Sequence, residues 1–333
     1  MKLFKKKIGL MINRIKLILP FLILAISANA QISISNVKDI EKVKGTTTYI
    51  TMNDPNDAVS LKYAEIFKKY WTFSKIEFIK YADINKYLNA NSSFLNLGGY
   101  TTNVESYKLY SNGSRNLGIK WENTHLYLEL WTCSEKFLKK KGDSSKEFKE
   151  KDKNQIARLE LYTDFQTLRT PENLFLTNFG CENHIRNWGE GLLKNHLQNM
   201  IMYLEMGKEK SLYSPIINDS EIKKLQNKTL YIPDYAFTKF NAFTGDESKK
   251  HDEKELLEDY KPKYQVISTK ELNEKILKNE EPFFYLQYIK SSTDKYVSVI
   301  NSQTGEVVYS SYSPASYNLK SGDLKDLSKK ISK

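Results

Sequence analysis

The signatures by which many enzymes announce themselves are missing from this chain. It has no phosphate loop, no G-x-S-x-G elbow, no H-E-x-x-H, no paired C-x-x-C and no glycine-rich dinucleotide turn. Those absences remove the reaction classes that the motifs serve, and no stretch implies a cofactor. Cysteine is scarce, with only Cys133 and Cys181 in 333 residues. In an oxidising compartment the two can form a single bridge, and their flanks, "LELWTCSE" and "LTNFGCENH", read as the end of a strand and a turn. A Cys133–Cys181 disulfide is one expectation, and two separate buried thiols are the other.

Acidic residues are absent from the first thirty positions, "MKLFKKKIGLMINRIKLILPFLILAISANA". This stretch carries six Lys and Arg, then an apolar run from Leu17 to Ile26, then the small residues Ala28 and Ala30. That order predicts a secretory signal peptide over residues 1–30, cleaved before Gln31. The apolar run is shorter than the roughly 20 residues needed to span a bilayer, so no transmembrane segment is expected after cleavage. No cysteine adjoins the cleavage point, which argues against lipid attachment. An exported protein of the periplasm or the medium follows.

Export changes the reading of the charge. The chain holds 51 basic and 40 acidic residues, but six of the basic ones belong to the leader, so the mature chain is near +5 instead of +11. No basic stripe interleaved with stacking aromatics is present, so nucleic acid is not an expected partner. Tyr is abundant, 22 residues against four Trp. An AT-rich coding sequence explains that excess without a partner.

What is present is an order of elements that occurs twice. "TTTYITM" reads as a strand, "NDPND" as a turn, and "AVSLKYAEIFKKYW" as a helix with Leu61, Ala64, Phe67 and Trp71 on one stripe. The strand "KIEFIKY", a helix around "DINKYL" and the strand "SFLNLGGY", ended by Gly98 and Gly99, follow. Antiparallel strands "WENTHLYLELWT" and "IARLELY" flank a charged hairpin loop at 139–154, and a helix near 189–206 closes the unit before Gly207.

The second half repeats this order. "KTLYI", "EKELLEDY", "KYQVIS", "KELNEKIL" and "PFFYLQYI" are followed by a hairpin over "NSQTG" and by a last helix carrying Leu324, Leu327 and Ile331. Asp83-Ile84-Asn85 matches Glu271-Leu272-Asn273 in place, while residues 236–252 lengthen the first connection of the second copy. The expectation is an α/β fold with α+β tendency. It has two related modules, 31–207 and 227–333, each β-α-β-α-β-β-β-α with a mixed parallel and antiparallel sheet, joined by a linker at 208–226. The order is similar to that of small envelope domains such as the amino-terminal domain of TolB and the curli secretion-channel protein. That similarity is one of topology and involves no shared motif.

Four groups of residues are candidates for chemistry. Asp54 and Asp57 follow the first strand, where α/β sheets gather ligands and where carboxylates can hold Ca²⁺; a turn and a helix cap ask for the same residues. His125, Tyr127, Glu129 and Trp131 alternate with Leu126, Leu128 and Leu130, predicting a strand with one wet face suited to stacking and hydrogen bonding. Cys181, His184 and His196 are metal-ligand types at no recognised spacing. The pair Cys133 and Cys181 completes the set. Together these features imply a non-enzymatic protein that binds an envelope protein, a glycan or a peptide. The alternative is a hydrolase or other enzyme with its site at the strand ends or between the modules.

Overall fold

The computed structural model describes residues 31–140, 148–164 and 184–333. The leader, Cys181 and the middle of the charged loop lie outside the described residues. Strand β1 (Ile32–Ile34) and a short helix, Ile40–Lys44, precede β2 (Thr47–Met52). Helix α1 (Ala58–Tyr70), β3 (Lys75–Lys80), a helical turn, the long strands β4 (Ser92–Leu109) and β5 (Arg115–Cys133), β6 (Lys153–Leu161) and α2 (Glu190–Met206) complete the first unit. The second contains β7 (Ile216–Ile217), β8 (Leu230–Pro233), a small hairpin of β9 (Thr238–Lys239) and β10 (Lys249–Lys250), β11 (Tyr264–Ile267) and α3 (Thr269–Lys278). It ends with β12 (Phe284–Ser291), β13 (Asp294–Asn301), β14 (Val307–Ser313) and α4 (Ser321–Ser332).

The strands form two six-stranded mixed sheets, β1-β6-β5-β4-β2-β3 and β7-β14-β13-β12-β8-β11. Written this way the sheets correspond place by place. In each, the strand next to one edge, β2 or β8, runs parallel to both its neighbours, and the remaining pairs are antiparallel. The repetition seen in the sequence is therefore a repetition of the whole sheet. It includes a feature not read there: β7 and a short helix, Asp219–Ile222, fall within residues 208–226, where a linker was expected, and hold the places of β1 and its helix.

Local chemistry explains the elements that frame the site. Asp57 stands in an extended conformation before α1, and its Oδ1 accepts from the backbone N–H groups of Val59 and Ser60 at 2.9 and 2.8 Å. This is an N-cap, which satisfies donors that the first helical turn leaves open. The buried face of α1 is Ser60, Tyr63, Ala64 and Phe67, whereas Leu61 is 49% exposed. Ala64, Phe67 and Trp71 of the expected stripe are buried and only Leu61 is not; the buried face widens to the other side through Ser60 and Tyr63, whose ring stacks on Trp188 at 6.0 Å.

Helix α2 buries Leu193, Leu197, Met200 and Leu204 in the first core, and Gly207 ends it in the left-handed conformation, φ 60°. Its other side is buried as well. Lys194 Nζ donates to Ile276 O and Asn279 Oδ1, Asn195 Nδ2 donates to Ser302 O, and Asn199 Nδ2 donates to Gly305 O. A polar helix face thus joins the modules by hydrogen bonds, each contributing about 1 kcal/mol.

Candidate functional site

The strand face predicted to be wet is buried. Trp131 stacks on Phe94 at 4.3 Å and on Phe148 at 5.3 Å, and its Nε1 donates to Asn96 Oδ1 at 2.7 Å. Glu129 is 0% exposed and accepts from Lys153 Nζ at 2.6 Å and Gln155 Nε2 at 3.0 Å. Its carboxylate lies over Gly98, where a Cβ would come within 2.4 Å of Oε1. Gly98 therefore does not end its strand as expected; it makes room for Glu129, and β4 runs on to Leu109. Period two gave the two faces of β5 correctly. It did not show that Lys153, Gln155 and the second module cover the polar one.

Tyr127 and His125, at the other end of that face, belong to the contact between modules. The Arg158 guanidinium lies 4.1 Å above the Tyr127 ring and pairs with Glu160. Glu160 Oε2 accepts from Ser291 Oγ at 2.8 Å, and that oxygen lies 3.0 Å from His125 Nδ1. Tyr100 stacks on His125 at 4.2 Å. Burial, reinforced by Arg158, lowers the His125 pKa to about 4, so the ring is neutral at pH 7. Burial raises the carboxyl of Glu160, against the pull of Arg158 and Ser291.

A serine, a histidine and a carboxylate in contact invite comparison with an acyl-transfer triad. There the serine gives its proton to the histidine, and the carboxylate orients the histidine. Here Ser291 stands in the middle and donates to Glu160, so the His125 nitrogen can only donate to Ser291. The arrangement links β5, β6 and β12; it does not activate a nucleophile.

The other predicted residues have local roles. Asp54 Oδ1 accepts from Asn56 N at 3.3 Å and lies 3.9 Å from Lys80 Nζ, as a turn residue does, while Asp57 is the cap of α1. Desolvation pushes the Asp57 carboxyl up, but hydrogen bonds from Ser60 and Val59 together outweigh it and hold the group below the usual range. Cys133 is buried among Phe94, Trp131 and Phe137. His184 Nδ1 lies 3.5 Å from Asp164, and His196 is buried with Nε2 at 3.0 Å from Asn187 O. Among the described residues, no group of three or more His, Cys, Asp and Glu is placed to hold a metal ion. Asp54, Asp57, His125, Tyr127, Glu129 and Trp131 line neither of two surface grooves. One of these, of about 630 Å³, lies at the junction between Lys62, Trp188, Lys270 and Leu277; the other, of about 730 Å³, lies in the second module between Tyr231, Gln265, Lys275 and Phe283.

The feature that sets the two copies apart is the hairpin β4–β5. Its strands have 18 and 19 residues, and those of β12–β13, in the same place of the second sheet, have 8 each. β2 pairs with β4 only as far as Leu95, and β6 pairs with β5 only from Leu126 onward. Beyond Tyr100 and His125, among the described residues, the two strands pair with each other alone up to Leu109 and Arg115. That ribbon is an arm of about 30 Å. Its base meets the turn of the shorter hairpin, with Thr102 Oγ1 3.5 Å from Ser292 Oγ and His125 against Ser291. Sequence reasoning missed the arm, although Asn112-Gly113 is a strong hairpin-turn signal.

The chain matches no known protein family. Neither the curated proteins nor the solved structures contain one with significant similarity to it. What the site does must be read from its geometry: a cross-braced base holding a projecting two-stranded arm, which extends from the middle of the sheet past the end where β2 stops and α1 begins.

Proposed function

We propose that this is an exported binding protein of the bacterial envelope or medium, and that the β4–β5 arm is the element it presents to a partner protein. The leader-like first thirty residues support export, and no helix among the described residues is long and apolar enough to cross a membrane. The observation that carries the binding role is the inequality of the two hairpins. The second module closes the same sheet position with 8-residue strands, so the fold does not require strands of 18 and 19. A two-stranded ribbon is marginally stable in water, and the edges it offers accept an added strand.

The proposal is tested by replacing residues 101–124 with Asn-Gly, which joins the register partners Tyr100 and His125 by a short turn. The shortened chain is expected to fold and to lose the species that wild type retains from solubilised envelope proteins. Identical retention by both chains overturns the reading.

A further inference from the structure

The connection between β9 and β10 belongs to the stretch that lengthens the second copy, and its Glu247 turns inward. One carboxylate oxygen accepts from Lys290 Nζ at 2.9 Å and the other from Arg186 Nη2 at 2.9 Å. Lys290 comes from β12 of the second module, and Arg186 from the segment that leads into α2 of the first. The Lys290 side chain is 1% exposed, with its ammonium 3.5 Å from the centre of the Phe240 ring, and Arg186 lies over Tyr162 at 5.5 Å. Arg186 Nε is buried and has no hydrogen-bond partner among the described residues. Asp164 and His184 adjoin the cluster.

We infer that Arg186 and Lys290 form a carboxylate-binding site, filled here by the chain's own Glu247, that takes the carboxylate of an acidic ligand when the 241–248 loop swings away. Two cations from different modules each take one oxygen of a single carboxylate, which is the geometry of carboxylate recognition. Pinning a loop does not require this, because a buried ion pair seldom stabilises more than an apolar contact of the same size. The unpartnered Nε adds a donor that Glu247 does not use. Burial lowers the Lys290 pKa although Glu247 raises it, so the cation is held at a cost. Between its ends the loop is held by its own turn, with Asn241 N donating to Asp246 O and Gly245 N to Asn241 O; the ends are anchored by Phe240, which exchanges two hydrogen bonds with Asn318, and by His251 N donating to Phe237 O. Residues 241–248 can move between these anchors without breaking the β9–β10 pair.

The test is acetate titration of Glu247→Ala, followed by thermal melting at constant ionic strength. Acetate at about ten times its dissociation constant is expected to raise Tm by about 3 °C, with sodium chloride inactive and inorganic phosphate weaker. Adding Lys290→Met to the Glu247→Ala chain is expected to abolish the response. An acetate effect no larger than that of chloride or phosphate, or one that survives Lys290→Met, overturns the site. If Glu247→Ala does not fold, amide exchange in wild type decides. Faster exchange at Asn241 and Gly245 in acetate than in chloride supports displacement of Glu247, and equal exchange contradicts it.

Discussion

Asn273 of the second module caps the central helix of the first. Its Oδ1 accepts from Leu192 N at 2.9 Å while its Nδ2 donates to Trp188 O at 3.2 Å. Gly189 and Gly191 leave the space it fills: a Cβ on Gly191 would lie 2.4 Å from Asn273 O, which is backbone and cannot turn aside. Gly191→Ala is therefore expected to cost more than Asn273→Ala. The first forces a shift of α3 against α2, a close-packing penalty of about 1–3 kcal/mol, and the second removes one cap, about 1 kcal/mol. Chemical denaturation of the two variants checks the order, and an Asn273→Ala loss exceeding that of Gly191→Ala contradicts it.

Glu129 and Gly98 form a second such pair. Gly98→Ala drives a Cβ into the Glu129 carboxylate, and Glu129→Ala leaves Lys153 without its buried partner. Each single change is expected to cost about 3 kcal/mol. Because both act on the same contact, the double variant should lose clearly less than their sum. Additive losses in urea melts would show that the two positions are independent.

In α1, two positions of the expected stripe make a sharp contrast, Phe67 being buried and Leu61 exposed. Phe67→Ala opens a hole in the first core and is expected to cost about 3–5 kcal/mol, whereas Leu61→Ser, on an exposed position, should stay within about 0.5 kcal/mol. Thermal melts of the two variants measure this. Comparable losses would place Leu61 on the buried face after all.

His125 and His196 are both held neutral in the fold. Burial, with Arg158, brings the first down to about 4, and burial brings the second to about 4 against the pull of the Asn187 carbonyl. Below the ordinary imidazole value of 6.5, the unfolded chain takes up protons at these positions that the folded chain refuses. Stability should therefore fall as pH drops from 6.5 to about 4, by at most about 1.4 kcal/mol per pH unit for each ring. Glu160, whose carboxyl is raised by burial, works in the opposite direction. Comparing wild type with His125→Gln and His196→Gln isolates the imidazoles. Each variant should flatten the dependence of urea stability on pH, and an unchanged slope rules out the ring concerned.

Much of this architecture was legible because it rests on local patterns. The duplicated order, the caps at Asp57 and Gly207, and the buried faces of α2 and α4 all follow from spacing and turn chemistry. What escaped depends on contacts distant in sequence. The polar face of β5 reads as wet until Lys153 and Ser291 cover it, and Gly98 reads as a strand end until Glu129 is placed over it. Of the proposed site, His125 and Tyr127 stand out in the sequence as ligand-binding candidates on a polar strand face, but their partners Arg158, Glu160 and Ser291 come from β6 and from the other module. The arm was hidden by the same misread glycines, although its turn at Asn112-Gly113 was in plain view.

The most direct test of the arm as the presented element is site-specific photo-cross-linking in cells that produce the protein. A photoreactive residue at Asn112, in the turn of the arm, is compared with one at Thr304, in the β13–β14 turn. A discrete cross-linked protein from Asn112, absent from Thr304, is the predicted result. The same pattern from both positions, or no discrete product from Asn112, would contradict it.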